Sequence, residues 1–205
     1  MDLVDRVEGS RFLGREFLVW LWCSSDLLQD GLRAEGIGAI RLWLEDQLTL
    51  EGGTGEPEKH QLSAPAPGHT REAREALRQG KLPSKARVVI EREERTFRFN
   101  LDADSLALSA VKLPALMREE TDEQFHERMY LLDELEAIMG ALLEQFLRLR
   151  LAPGWAASLL PVMRAWVSES ATPDHLQYRD LLDAVLKSAS APKPPSALPE
   201  QEIRL

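Results

Sequence analysis

The residues of this chain best suited to chemistry are four histidines, a single cysteine and a few adjacent carboxylates. His60, His69, His126 and His175 never stand three or four positions apart, and none forms an HxxE or HExxH pattern. Without that spacing, one helix face cannot present two metal ligands to one ion. Cys23 lies in an apolar run with no histidine near it in sequence, so it reads as a small buried hydrophobe. Glu93–Glu94, Glu119–Glu120 and Asp133–Glu134 stand side by side, as solvated charge on a turn or a helix face does. Asp102 and Asp104 flank a tight connection that turn chemistry explains. Ser24–Ser25 lacks the strand–turn–helix setting of a nucleophile. Gly52, Gly53 and Gly55 are followed by neither a Lys–Ser/Thr pair nor a helix, as a phosphate loop requires. The expectation is a protein with no active site, cofactor, metal or small-molecule substrate, which works by binding.

Charge placement offers one binding surface. Thr70 to Leu113 holds ten basic and seven acidic residues and carries +3, whereas Asp122 to Leu151 carries −4. Lys85 and Arg87 alternate with Ala86 and Val88, and Arg98 stands between Phe97 and Phe99. If these are strands, the three cations share the outer face of a sheet, flanked by Lys81 and Lys112. Such a face can track the phosphate backbone of double-stranded DNA. A merely solvated sheet face is the alternative.

The elements that must carry this face are legible from periodicity. A helix is expected over Ser10 to Ser24, capped by Ser10 and apolar on most sides. A hairpin follows from Gly36 to Leu50 with its turn at Glu45–Asp46, then a glycine-rich loop and a short strand near His60 to Leu62. Thr70 caps a helix that ends at Gly80. Two strands turn at Glu93–Glu94, and a third, Ser105 to Leu113, points Leu106 and Leu108 inward. Thr121, with Gln124 in a capping box, opens a helix of about 30 residues. Its seam is Phe125, Leu132, Leu135, Met139, Leu142, Phe146 and Leu149. Pro161 splits or kinks a further helix, and Thr172–Pro173 opens the last one. The fold class is therefore α+β, an antiparallel meander with hairpins packed against an N-terminal helix and a C-terminal helical group. The organisation reads as an α+β domain over 1–152, a helical extension over 153–188 and a Pro/Ser/Ala tail over 189–205. Phe17, Trp20 and Trp22 of the first helix, with Phe125, Leu132 and Met139 of the long one, are candidate interface residues for a homodimer or a partner protein. An internal core is the other reading of both sets.

The bulk numbers agree. Of 205 residues, 44% are hydrophobic, enough to bury a core, and the net charge of −9 opposes a whole-surface coat on nucleic acid. One cysteine forbids an internal disulfide and fits a reducing compartment. Phe17 to Cys23, the longest strongly apolar stretch, is too short to cross a bilayer. A cytoplasmic protein away from the membrane is expected.

Phe12-Leu-Gly-Arg-Glu-Phe-Leu-Val-Trp-Leu-Trp22 resembles a recurrent segment of the recombination-associated RdgC family. Further pieces follow in that family's order: Leu42-Trp-Leu-Glu-Asp46, Glu72 to Lys81, Lys85-Ala-Arg87, Phe97 to Leu113, and Glu127-Arg-Met-Tyr-Leu131. The similarity spans Phe12 to Trp166, as the C-terminal half of the family. The resemblance implies a non-enzymatic nucleoid protein that binds duplex DNA with little sequence preference, dimerises into a ring with a basic hole, and limits access of the recombinase RecA. The resemblance covers the C-terminal half of the family alone and so implies no encirclement of DNA by this stretch.

Overall fold

The computed structural model describes residues 3–28, 30–52, 58–118 and 120–190; the expected tail beyond Ser190 lies outside them. Six strands form an antiparallel sheet: β1 (Leu32–Ala34), β2 (Gly38–Gly52), β3 (Glu58–Ser63), β4 (Lys81–Arg92), β5 (Arg95–Asp102) and β6 (Leu108–Lys112). The helices are α1 (Leu3–Leu27), α2 (Arg71–Arg78), α3 (Thr121–Leu151), α4 (Leu160–Val167) and α5 (His175–Ser190). The α+β expectation therefore holds.

Alternation builds the sheet. Ala86, Val88 and Ile90 of β4 and Phe97, Phe99 and Leu101 of β5 all turn to one face and are buried. The two strands pair from Lys85↔Asp102 to Arg92↔Arg95 around a turn at Glu93–Glu94. The strand order is β1-β2-β4-β5-β6, with β3 also paired to β2. Two strand expectations need correction. The hairpin turn at Glu45–Asp46 is a bulge: β2 runs straight through it and pairs with β4 from Arg41 to Gly52. Asp46 takes φ 55°, and β2 steps from Leu44 to Leu48 while β4 steps only from Val88 to Ala86. A bulge and a two-residue turn interrupt alternation alike, so the pattern alone does not separate them. Leu106 does not point inward from a strand; it sits in the β5–β6 connection at φ 56° and is partly exposed.

α1 lies in the middle of the molecule. It touches β2 and β4 on one side and α3 and α4 on the other, which is why its sequence is apolar on most sides. It starts at Leu3, so Ser10 falls inside the helix and is not its cap. Phe17, Trp20 and Trp22 are 1% exposed or less; they form core, not an outward interface. Phe17 and Trp20 pack on Phe146 of α3 at 5.5 and 5.7 Å between ring centroids, and Phe146 meets Trp155 at 5.7 Å.

The later helices belong to the same core. Trp166 of α4 stands edge-on to Trp22 at 5.1 Å, and the hydroxyls of Tyr178 on α5 and Ser24 on α1 lie 3.0 Å apart, both buried. The helices within residues 153–188 thus pack onto the same core as α1. Thr70 caps α2 as expected, accepting from the Ala73 N–H, and Gly80 follows at φ 81°. Thr121 does not cap α3. Glu120 is the cap residue, and the Gln124 side chain donates to the Arg118 carbonyl instead of closing a box. Pro161 follows directly on a π-helical turn at Trp155–Leu159 that runs into α4, so the helix changes its winding at the proline, as the expected split requires. α5 is capped by Asp174, whose carboxylate accepts from the Leu176 and Gln177 N–H groups, rather than by Thr172. Among the described residues, no helix is long and apolar enough to cross a membrane.

Candidate functional site

Two surfaces remain for binding, and the sheet presents the first. Lys85, Arg87 and Arg98 do point to the outer face, opposite Ala86, Val88, Phe97 and Phe99. Lys112 is directly opposite Arg98 in the β5–β6 register and is exposed. The pleat also places Trp43, Val89 and Arg98 in one cross-strand row on this face. Val89 is buried there and Trp43 is 37% exposed, so the face carries an apolar row that the basic-strand reading does not include. A polar hollow of about 460 Å³ lies beside it, lined by Gln47, Thr49, Gln61, Lys85, Arg87 and Asn100 among others.

The cations of this face are matched by carboxylates. Lys85 Nζ is 2.9 Å from Asp102, and the hydrogen bond it donates to that carboxylate holds the ammonium above its ordinary pKa. Arg87 reaches Asp46 at 3.3 Å and donates Nε–H to the Asn100 side-chain oxygen at 3.1 Å. Arg98 reaches Glu45 at 3.2 Å, Arg41 reaches Glu91 at 4.0 Å and Lys59 reaches Glu51 at 3.1 Å. The bulge supplies two of these acids, Glu45 and Asp46, which a hairpin turn would have carried to the sheet's end. Lys81 is not on the outer surface: its side chain is 4% exposed, and Nζ lies 2.7 Å from Glu58 and 2.6 Å from His60 Nε2. Among the described residues, Lys112 alone of the five predicted contacts makes no ion pair.

The second surface is an apolar groove of about 500 Å³ between β6 and α3. Leu106, Leu108 and Val111 form one bank; Leu132, Glu136, Met139, Gly140 and Leu143 form the other; Phe17, Leu101 and Leu135 lie beneath. α3 buries Leu131, Leu135, Ile138, Leu142, Phe146 and Leu149 against the core. The neighbouring stripe, Phe125, Met129, Leu132, Met139 and Leu143, is left over. Phe125 is 61% exposed and Met129 44%. The single seam of the sequence reading is therefore two stripes, one internal and one partly exposed. Phe125 and Leu132 are exposed on the second, and Met139 on the same stripe is partly buried against the core. Gly140 was the missed signal: a glycine amid a 31-residue helix, with nothing within 4 Å of a Cβ built on it.

Other polar clusters are internal. Asp26 accepts from Arg74 at 2.6 Å and from Trp166 Nε1 at 3.0 Å, and Arg74 lies 3.9 Å over the Trp166 ring. Burial pushes the Asp26 carboxyl up, against the Trp166 and Arg74 contacts that pull it down. Burial likewise pushes the Cys23 thiol well up, leaving it inert. Among the described residues, no three His, Cys, Asp or Glu side chains gather into a metal site. Compared with known proteins, the chain matches no family model and no curated protein, so the likeness to the RdgC family rests on the sequence segments quoted above.

Proposed function

We propose that this chain is a non-catalytic binding protein whose working surface is the apolar groove between β6 and α3, and that it assembles with another protein chain there. One observation carries the reading. An amphipathic helix buries one stripe in the core and leaves a second, mostly apolar stripe, interrupted by Glu136, partly exposed beside an apolar hollow. Such a surface is what a protein interface uses.

A second reading, duplex DNA on the outer sheet face, is supported by the shared orientation of Lys85, Arg87, Arg98 and Lys112. Exposed ion pairs contribute only about 0–1 kcal/mol each, so phosphates can displace the carboxylates. Yet the acids there balance the bases nearly one for one, and the chain carries −9, so little field draws a polyanion in.

A photo-crosslinking residue placed at position 132 or 139, in the cells that make the protein, tests the first reading. The expected product is a protein adduct heavier than the 23.1 kDa chain, absent when the crosslinker stands at position 96 on the outer face. A gel-shift series in rising salt tests the second. Salt-sensitive binding of duplex DNA that vanishes in Lys85→Glu/Arg87→Glu/Arg98→Glu, with no adduct at 132 or 139, would replace the groove by the sheet face.

A further inference from the structure

The groove's two banks and its open end restrict what can lie in it. Resting on the assembly reading above, we infer that its occupant is an amphipathic α-helix with a basic flank, laid along α3 from Phe125 to Leu143. A strand added to the sheet edge is the obvious rival, because β6 is a terminal strand. That edge is closed to it. β6 has five residues, Ala110 is turned to φ 50°, and the register against β5 slips between Arg98 and Asn100. Lys112 stands at its end. A short, bulged, lysine-bearing edge is how sheets refuse further strands.

The α3 bank suits a helix instead. Phe125, Met129, Leu132, Met139 and Leu143 recur at helical spacing over about 27 Å, the length of a five-turn partner, with Glu136 taking the one intervening position. Gly140 stands exposed on the rim of the stripe, and a Cβ there would meet nothing within 4 Å. Glycine inside a helix is unfavourable relative to alanine, so nothing within this chain explains it. A second helix crossing closely at that point does, because the missing side chain lets backbones approach. Charge decides the flank. Glu136 lies in the line of the stripe between Leu132 and Met139 and lines the groove, and Asp133 stands on its flank; both are exposed and, among the described residues, without an ion-pair partner. They call for lysine or arginine on the facing flank of the partner helix, and they oppose a second copy of α3, which carries the same −4.

The probe is a fluorescently labelled 18-residue helical peptide with leucine on one stripe and lysine on its flanks, set against the same peptide with glutamate flanks. Binding to the intact chain is read by anisotropy, and its place by the methyl resonances of Met139 and Leu132. The lysine peptide is expected to bind at least tenfold tighter and to move those methyls. Gly140→Leu, which keeps every charge, is expected to cost at least tenfold in affinity while the melting temperature stays level or rises. Equal affinity for the two peptides, or unchanged affinity in Gly140→Leu, overturns the helix assignment. If the crosslinked adduct at position 132 persists in that case, only the occupant is wrong; if the adduct is absent too, the assembly reading falls with it.

Discussion

At the scale of single residues, two glycines set opposite tests of the packing. Gly14 lies where α1 crosses the β5–β6 turn, and a Cβ there would stand 1.8 Å from the Ala103 carbonyl oxygen. The backbone must move to accept it. Next to it, Arg15 grips Asp104 through two hydrogen bonds of 2.6 and 2.8 Å, so the crossing is held from both sides. Gly14→Ala should therefore lower stability by about 1–3 kcal/mol, the usual cost of overpacking. Urea denaturation checks this, and an unchanged midpoint would mean that α1 crosses the turn more loosely. Gly140 is the reverse case, with open space on its Cβ side. Of the two, the sequence announces only Gly140, because a helical period surrounds both but the carbonyl that crowds Gly14 comes from 89 positions away.

At the scale of elements, the Asp26 cluster ties α1 to α2 and α4. One carboxylate holds Arg74 and the Trp166 indole together, and both charged side chains are only 11–13% exposed. Asp26→Ala leaves a guanidinium without its anion and an indole N–H without an acceptor. Breaking a buried pair from one side costs roughly 3–5 kcal/mol, and the residual exposure here argues for about 2–4. Trp166 fluorescence during thermal unfolding reports it; a loss under about 0.5 kcal/mol would show that the three helices are held by apolar packing alone. Elements themselves were largely readable: β5, α2 and α3 follow their periodicities to within a residue or two, and β4 extends the alternation at Lys85 to Ile90 back to Lys81. What periodicity misassigns is β2, because a bulge and a turn break alternation in the same way. The correction matters for function, since the bulge is what brings Glu45 and Asp46 beside Arg98 and Arg87 and quiets the basic face. The long seam of α3 was legible as apolar but not as divided, because which stripe meets the core depends on where the sheet ends.

For the whole molecule, acid response follows from its carboxylates. Hydrogen bonds from Lys81 and His60 hold Glu58 below its ordinary value, the Met117 N–H does so for Glu127, and Arg78 does so for Glu169. A folded pKa below the unfolded one stabilises above the ordinary value, here 4.5, and the gain is lost as pH falls through the folded value. Asp26 works the other way, because its folded pKa is raised and protonation favours the fold. The groups held low outnumber it, so the urea midpoint should stay flat above about pH 5 and fall below about 4.5. A midpoint that holds steady down to pH 3.5 would mean these contacts add nothing to stability.

The meeting of Ser24 and Tyr178 spans 154 positions, and Trp22 meets Trp166 across nearly as many. During synthesis, the first helix thus emerges long before the residues that will enclose it. Its tryptophans stay uncovered until α3, α4 and α5 have left the ribosome, since chain closure over such separations comes late. The nascent form is therefore the stage at which this protein most needs a chaperone. Any shortening that removes α5 would leave that vulnerability permanent.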